Sequence, residues 1–275
     1  MTDQATPATR DQQGRVHLSL VRDAATGEEA VTLAGRLFEE PWQNELAAGA
    51  ANTAHAACGR EPALAAMVAL ARDLMAATSR VGEALLARAP AAVACRPGCD
   101  HCCYQSVGVT PPEALAIFDH LSQTRSDAEL ARLAAQAATR RAETRDLSAA
   151  ERFSPAYPCL FLDAGRCTIY EVRPLSCRGM NSLDAGECER RLRDPEARAA
   201  FRAAGTGGHS FLEPIAAFHA ISAGLQLALS ELHRLDMRPL DLVGALDLLL
   251  NGADAIPDDW IGGGAPFEPA VNPRR

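Results

Sequence analysis

Eight of the nine cysteines in this 275-residue chain fall between Cys95 and Cys188. They form two tight groups: Cys95, Cys99, Cys102 and Cys103, spaced C-x3-C-x2-C-C, then Cys159, Cys167, Cys177 and Cys188. Thiolates crowded this closely are most economically explained as ligands of a soft metal centre, zinc or iron–sulfur. A disulfide framework is the alternative, and it would require an oxidising compartment. The two groups lie far apart in sequence, so the chain between them must fold back if they cooperate.

Composition narrows the chemistry. Hydrophobic residues make up 48 % of the chain but aromatics only 5 %, and alanine is abundant. A core of small side chains needs many close helix contacts, so the composition leans helical. The net charge of −8 argues against a nucleic-acid surface, which shows a basic face. All 27 basic residues are arginine. Without lysine there is no lysine Schiff base, no lysine-anchored pyridoxal phosphate and no P-loop of the G-x-x-x-x-G-K form. The polar stretch 1–15 lacks an apolar signal region. Apolar stretches such as Ala63–Ala71 and Leu242–Leu250 are too short or too interrupted to span a bilayer. The expectation is a cytoplasmic protein with free thiols and no membrane or nucleic-acid partner; a protein or small-molecule partner stays unidentified.

The predicted fold is mainly α: helical, bundle-like flanks around a cysteine-rich metal module with a small β-hairpin. Residues 1–15 read as a disordered tail, 16–90 as an N-terminal helical region and 91–190 as the cysteine module. Residues 191–255 read as a C-terminal helical region and 256–275 as an irregular tail. Val16–Val21 and Ala30–Ala34 could pair as a hairpin, with a helical start at Glu28 the competing reading. Helical spacing marks Trp42–Ala57 and Pro62–Ala89, with Pro62 an early helical residue. Arg96-Pro97-Gly98 forces a turn between the first two cysteines. Thr110 is placed to cap a helix through Ala114–Ser122, and Ser126-Asp127-Ala128-Glu129 is a capping box for Asp127–Arg145. Asp163-Ala164-Gly165-Arg166 predicts a hairpin with Cys159 on one arm and Cys167 on the other. Arg173-Pro174 stops the structure before it, and Gly205–Gly208 breaks the chain after a helix at Asp194–Ala203. Phe211–Leu235 and Leu240–Leu250 read as apolar helices.

The spacing of Cys95, Cys99 and Cys102 is that of radical S-adenosylmethionine enzymes, but their fold needs strands and helices in succession, and this chain reads as helical on both sides. Adjacent Cys102 and Cys103 point in different directions, so two centres, or one centre with a spare thiol, are easier than one shared ion. Eight thiols could supply two four-ligand sites, or one site with second-shell or redox thiols around it. Four thiolates on zinc or on an oxidised four-iron cluster leave negative charge, which Arg96, Arg166, Arg173 and Arg178 could screen. His101 could replace a thiol. His209, Glu213 and His219 do not share one helical face, and His233 reads as a core or surface residue. Cys58 reads as a buried small hydrophobe.

C-x3-C-x2-C-C followed by P-C-L-F…G-R-C-T-I-Y-E-V-R-P-L-S-C-R resembles the CxxCxxCC (YkgJ-like) cysteine-cluster family over roughly Cys95 to Cys188. Tyr170, Arg173, Pro174, Cys177 and Arg178 fall in that family's order. The resemblance implies a zinc- or iron-chelating domain, a structural role for Arg173 and Arg178, and Tyr170 packed beside the metal. Flagellin lysine N-methylases look similar over the cluster, so the resemblance permits a metal-containing, methyltransferase-like enzyme. No S-adenosylmethionine-binding glycine loop accompanies it. The sequence therefore predicts a metal protein, with a four-iron, four-sulfur cluster favoured over Zn²⁺. A redox or enzyme-assisting role and a zinc-stabilised scaffold without metal chemistry both stay open.

Overall fold

The computed structural model describes residues 17–22, 29–34, 37–59, 62–204, 209–252 and 255–271. The tail at 1–15 and the break at Gly205–Gly208 lie outside these. The chain is mainly helical, and its sheets have two strands each.

The open choice at the N-terminus resolves as a hairpin. Strands β1 (His17–Arg22) and β2 (Glu29–Ala34) pair antiparallel, with Val31 buried. The Asn52 side chain bonds both the amide and the carbonyl of Val31, at 2.6 and 2.7 Å, tying the hairpin to helix α1 (Pro41–Cys58). Helix α2 (Leu64–Leu86) follows, and Pro62 lies just outside it rather than within its first turn. In α1, Ala47, Ala50, Ala51, Ala54 and Cys58 are buried at helical spacing. Cys58 is the small hydrophobe expected, with its Sγ 3.8 Å from Met67 Sδ.

Helix α3 (Pro111–Thr124) starts at the cap expected at Thr110, which forms a full capping box with Glu113, and helix α4 (Asp127–Thr144) starts with the capping box expected at Ser126. A third box of the same S-x-x-E form, Ser148 with Glu151, starts the single turn α5 (Ala149–Arg152). Strand β3 (Gly108–Val109) precedes α3. Strands β4 (Leu162–Asp163) and β5 (Arg166–Cys167) form the predicted small hairpin, with Cys167 on its second strand but Cys159 ahead of its first rather than on that arm. Its turn needs two positive φ angles, 45° at Ala164 and 76° at Gly165, the requirement of the tight primed turns. Next come α6 (Leu175–Gly179), α7 (Ala185–Arg193), α8 (Pro195–Ala204) and α9 (Leu212–Glu231).

Strand β6 (Leu240–Asp241) pairs antiparallel with β3 and leads directly into α10 (Leu242–Asn251). Arg152 grips Asp241 with two bonds of 2.7 and 3.0 Å and also bonds Ser106 and Thr144. Asp241 in turn caps α10 through the Gly244 amide, at 3.0 Å. One ion pair thus fastens α4, α5, β6 and α10 together.

The segment after Ile256 is not an irregular tail. It forms α11 (Ala255–Ile261) and a closing 3₁₀ turn at Glu268–Ala270. Trp260 and Phe267 are fully buried, and the indole donates to Asp236 O at 2.8 Å. Two large aromatic side chains hold in place a segment whose Pro and Gly content alone favours loop.

Helix α9 is long and apolar enough to cross a membrane by length and composition, at a mean hydropathy of 1.3 over its best window. Half of that window is buried against other elements, α1 and α6 among them, as in a core helix. A Cβ on Gly224 would fall on the Ala47 carbonyl oxygen, far inside van der Waals contact. Gly224→Ala should gain about 1 kcal/mol of helix propensity but lose about 1–3 kcal/mol to overpacking at the α1–α9 crossing. A lower denaturant midpoint with an unchanged slope is the expected result.

Candidate metal centre

The first cysteine group sits on turns. The Cys99 amide donates to Arg96 O at 2.9 Å, closing the predicted turn, in which Gly98 takes φ 89°. A 3₁₀ turn, His101–Tyr104, then carries Cys102 and Cys103, with the Cys103 amide on Asp100 O at 2.8 Å.

Backbone contacts bring the second group to this one. The Cys159 amide donates to Cys103 O at 2.7 Å. A Cβ on Gly165, at the β4–β5 turn, would meet Gly98 O at 3.3 Å, so the two glycine turns touch. Any side chain at Gly165 would wedge the groups apart as well as strain a left-handed backbone. A 3₁₀ turn at Tyr170–Val172 and Pro174 lead into α6, which carries Cys177. On the other side, the Ala94 amide donates to Ser182 O at 2.8 Å, just before the Asp184 cap of the Cys188 helix α7.

All nine cysteines are free thiols. Cys95 and Cys102 are exposed, and Cys99, Cys103, Cys159, Cys167, Cys177 and Cys188 are half-buried. Cys102, Cys159, Cys167 and Cys177 lie within electrostatic reach of one another, and Cys103 is within reach of Cys102, Cys159 and Cys177. Cys95 is within reach of Cys99, Cys102 and Cys188. All eight sulfurs predicted as ligands therefore share one connected neighbourhood. Among the described residues no three Cys, His, Asp or Glu side chains meet in an arrangement ready to ligate an ion.

The electrostatics fit a soft cation. Burial first, then neighbouring thiolates, pushes Cys159 up to about 11 and Cys177 further in the same direction. Burial also raises Cys95 and Cys167. A bound metal ion removes this penalty, since it favours thiolate over thiol. The donor set, sulfur with nearby arginine, suits zinc or iron.

Cys102 moves the other way, down to about 7, chiefly through the hydrogen bond it accepts from Cys103, whose own pKa rises. In metal-free protein Cys102 should therefore alkylate fastest of the cluster, its rate climbing through pH 7 as the thiolate fraction grows. Site-resolved mass spectrometry after brief iodoacetamide pulses checks this; equal labelling of Cys102 and Cys159 at pH 7 would contradict it.

The arginines sort themselves. Arg173 favours the thiolate forms of Cys102, Cys167 and Cys177 and stacks over the Tyr170 ring at 4.2 Å. Tyr170 is exposed at 60 %, so it covers this arginine rather than packing beside the metal. Arg178, only 7 % exposed, donates to Arg173 O, Glu171 O and Ser79 Oγ, the structural clamp expected. Burial, with the nearby charge of Arg173, lowers its pKa to about 10. Arg96 and Arg166 are exposed.

Sequence reasoning missed Arg140, on α4, which favours the Cys159 thiolate and holds Pro158 O. It also missed Glu113. That buried carboxylate accepts from Thr110 N, Thr110 Oγ1 and Leu175 N, each at 2.8 Å, and so fixes the start of α6 against α3. The P-P-E run at a capped helix start was the available signal. His101 Nδ1 is buried without a hydrogen-bond partner and lies 3.7 Å from Asp100 Oδ1. His209 and His219 are exposed, and they form no metal-holding group with Glu213. His233 packs against His55, ring centroids 6.0 Å apart.

The crevice between α10 and Cys159 holds about 30 Å³, lined by Arg140, Arg152, Tyr157 and Leu242. That is room for water, while a more open groove that also borders Cys159, lined by Arg140, Glu143, Pro158 and Leu160, holds about 440 Å³.

Residues 94–194 match the CxxCxxCC family model, described as a putative zinc- or iron-chelating domain. The matched segment runs from the residue before Cys95 to just past α7, so it contains every cysteine of the cluster. The CxxCxxCC segment is thus similar to a domain described by metal chelation, and the flanking helices lie outside the match. No curated protein and no solved structure matches the chain.

Proposed function

We propose that the CxxCxxCC segment holds a metal centre through its clustered cysteine thiolates, with a four-iron, four-sulfur cluster as the occupant. One observation carries this: thiols from two distant stretches share a single electrostatic neighbourhood fixed by backbone contacts between Cys103 and Cys159 and between the Gly98 and Gly165 turns. The all-sulfur donor set, and more thiols than one tetrahedral zinc needs, favour iron–sulfur. When bound, such a cluster supplies one-electron redox chemistry. The chain's own part is to collect the thiolates, screen them with Arg173 and Arg140, and hold the supporting turns with Arg178 and Glu113. A reducing cytoplasm is the compartment in which such thiols stay free.

A zinc-stabilised scaffold is the second reading, supported by the likeness of residues 94–194 to a domain described as zinc- or iron-chelating. Metal and acid-labile sulfide analysis of protein purified without oxygen, with electron paramagnetic resonance after reduction, separates the two. Brown protein containing iron and sulfide is expected. Colourless protein containing only zinc would replace the first reading by the second, and protein with no metal that also takes up none would overturn both.

A further inference from the structure

Arg173 occupies the short connection between β5, which carries Cys167, and α6, which carries Cys177. Its main chain is already committed. Arg173 O accepts from Arg178 Nε at 2.9 Å, and Pro174 O, next along, accepts from the Cys177 amide at 3.0 Å. Its side chain is not. Arg173 Nε is buried and finds no hydrogen-bond partner among the described residues. The exposed ring of Tyr170 lies over the guanidinium at 4.2 Å and covers one of its faces. A guanidinium keeps its protons in proteins, so Nε can only donate, and a buried donor without an acceptor costs stability. His101 Nδ1, the other orphaned nitrogen of the cluster segment, has Asp100 beside it at 3.7 Å. Arg173 instead faces sulfur: it favours the thiolates of Cys102, Cys167 and Cys177.

We propose that Arg173 donates its Nε–H to a metal-bound thiolate of the cluster, from Cys102, Cys167 or Cys177, and that Tyr170 holds the guanidinium in place for that bond. Arg173 is thus a positioning residue that acts on the centre through a ligand sulfur. This rests on the metal-binding function proposed above. A thiol is a weak acceptor, whereas a thiolate held by a cation keeps negative charge and accepts a charge-assisted bond. Lysine cannot replace Arg173 here, because its ammonium is a mobile point charge without the planar fork that stacks on an aromatic ring.

The test loads the full-length, reduced chain with NMR-active cadmium ion alone, without oxygen, and follows the arginine Nε–H signals. The Arg173 signal is the one missing from Arg173→Lys. On loading it should move downfield, exchange more slowly with water and show a scalar coupling to cadmium through the hydrogen bond. Arg173→Lys should weaken cadmium binding by about 10–100-fold and leave the denaturant midpoint of the metal-free chain unchanged, since the Arg178 clamp uses only the main chain of Arg173. Tyr170→Phe should preserve both the coupling and the affinity, whereas Tyr170→Ala should speed exchange of the Arg173 proton. An uncoupled Arg173 proton in cadmium-loaded protein would overturn the proposal. So would an Arg173→Lys chain that binds cadmium as tightly as wild type, or one whose metal-free midpoint falls, which would make the residue merely structural. If the wild-type chain takes up no cadmium, the metal-binding function itself fails, an outcome distinct from a loaded chain in which Arg173 is unaffected.

Discussion

Cys167→Ala is expected to empty the proposed metal centre and to melt the segment around it. A thiolate-bound structural zinc contributes on the order of 10–16 kcal/mol of folding free energy. A whole domain is stable by only about 5–15 kcal/mol. Loss of one ligand from such a centre therefore removes a quantity comparable to the entire stability of the fold. The damage should be local at first. Phe161, Ile169, Val172 and Leu175 are buried in the apolar core, whereas α1 packs on α9, which meets the cluster segment through α6. Hydrogen exchange should accelerate over β4, β5 and the Tyr170–Val172 turn before it does in α1 and α9. Cys58→Ala is the control, because Cys58 packs against Met67 outside the cluster. It should create a small cavity and leave the metal content unchanged. Unchanged metal content and unchanged melting in Cys167→Ala would remove the ligand assignment.

Those elements that answer to local rules were legible in the sequence. The cap at Thr110 and the capping box at Ser126 are local signals, and both helices start where they say. The Asp163–Arg166 turn was equally plain, because Gly165 takes a φ of 76° that few other residues accept. Convergence of the thiols was an inference from cysteine density. The contacts that achieve it, Cys159 N to Cys103 O and the Gly98–Gly165 touch, join residues too distant for any periodicity to link.

What escaped was tertiary. Ile256 onwards looked irregular because Pro and Gly dominate locally, yet Trp260 and Phe267 find a core built from residues far upstream. Arg140 sits in a helix whose sequence says only that it is amphipathic; its reach to Cys159 comes from how α4 lies against the Tyr157–Pro158 segment. Tyr170 failed in the opposite sense. Its place in the family's order suggested packing at the metal, while the fold turns it outward over Arg173. Motif order records which residues belong together, and the backbone decides which of them faces the centre.

The second large effect is expected at Glu113, away from any thiol. Glu113→Ala would leave the amides of Thr110 and Leu175 and the Thr110 hydroxyl without their acceptor in a buried site. Each orphaned donor costs about 1–3 kcal/mol, so a loss of about 3 kcal/mol or more is expected. The start of α6, and with it Cys177, should lose its fixed position against α3, lowering metal occupancy as well as the denaturant midpoint. The pH dependence carries a definite sign. Burial raises the Glu113 carboxyl above its ordinary 4.5, against the opposing pull of its hydrogen bonds and of Arg178. A folded-state pKa above the unfolded one gives stability that is fully present below 4.5 and is lost as pH rises through the shifted value. The gap between wild type and Glu113→Ala should therefore be wider in acid than at neutral pH. Denaturant midpoints at pH 4 and pH 7 measure it. A gap that widens toward neutral pH would mean that Glu113 stabilises the fold mainly as a carboxylate, with its three hydrogen bonds outweighing the cost of burying its charge.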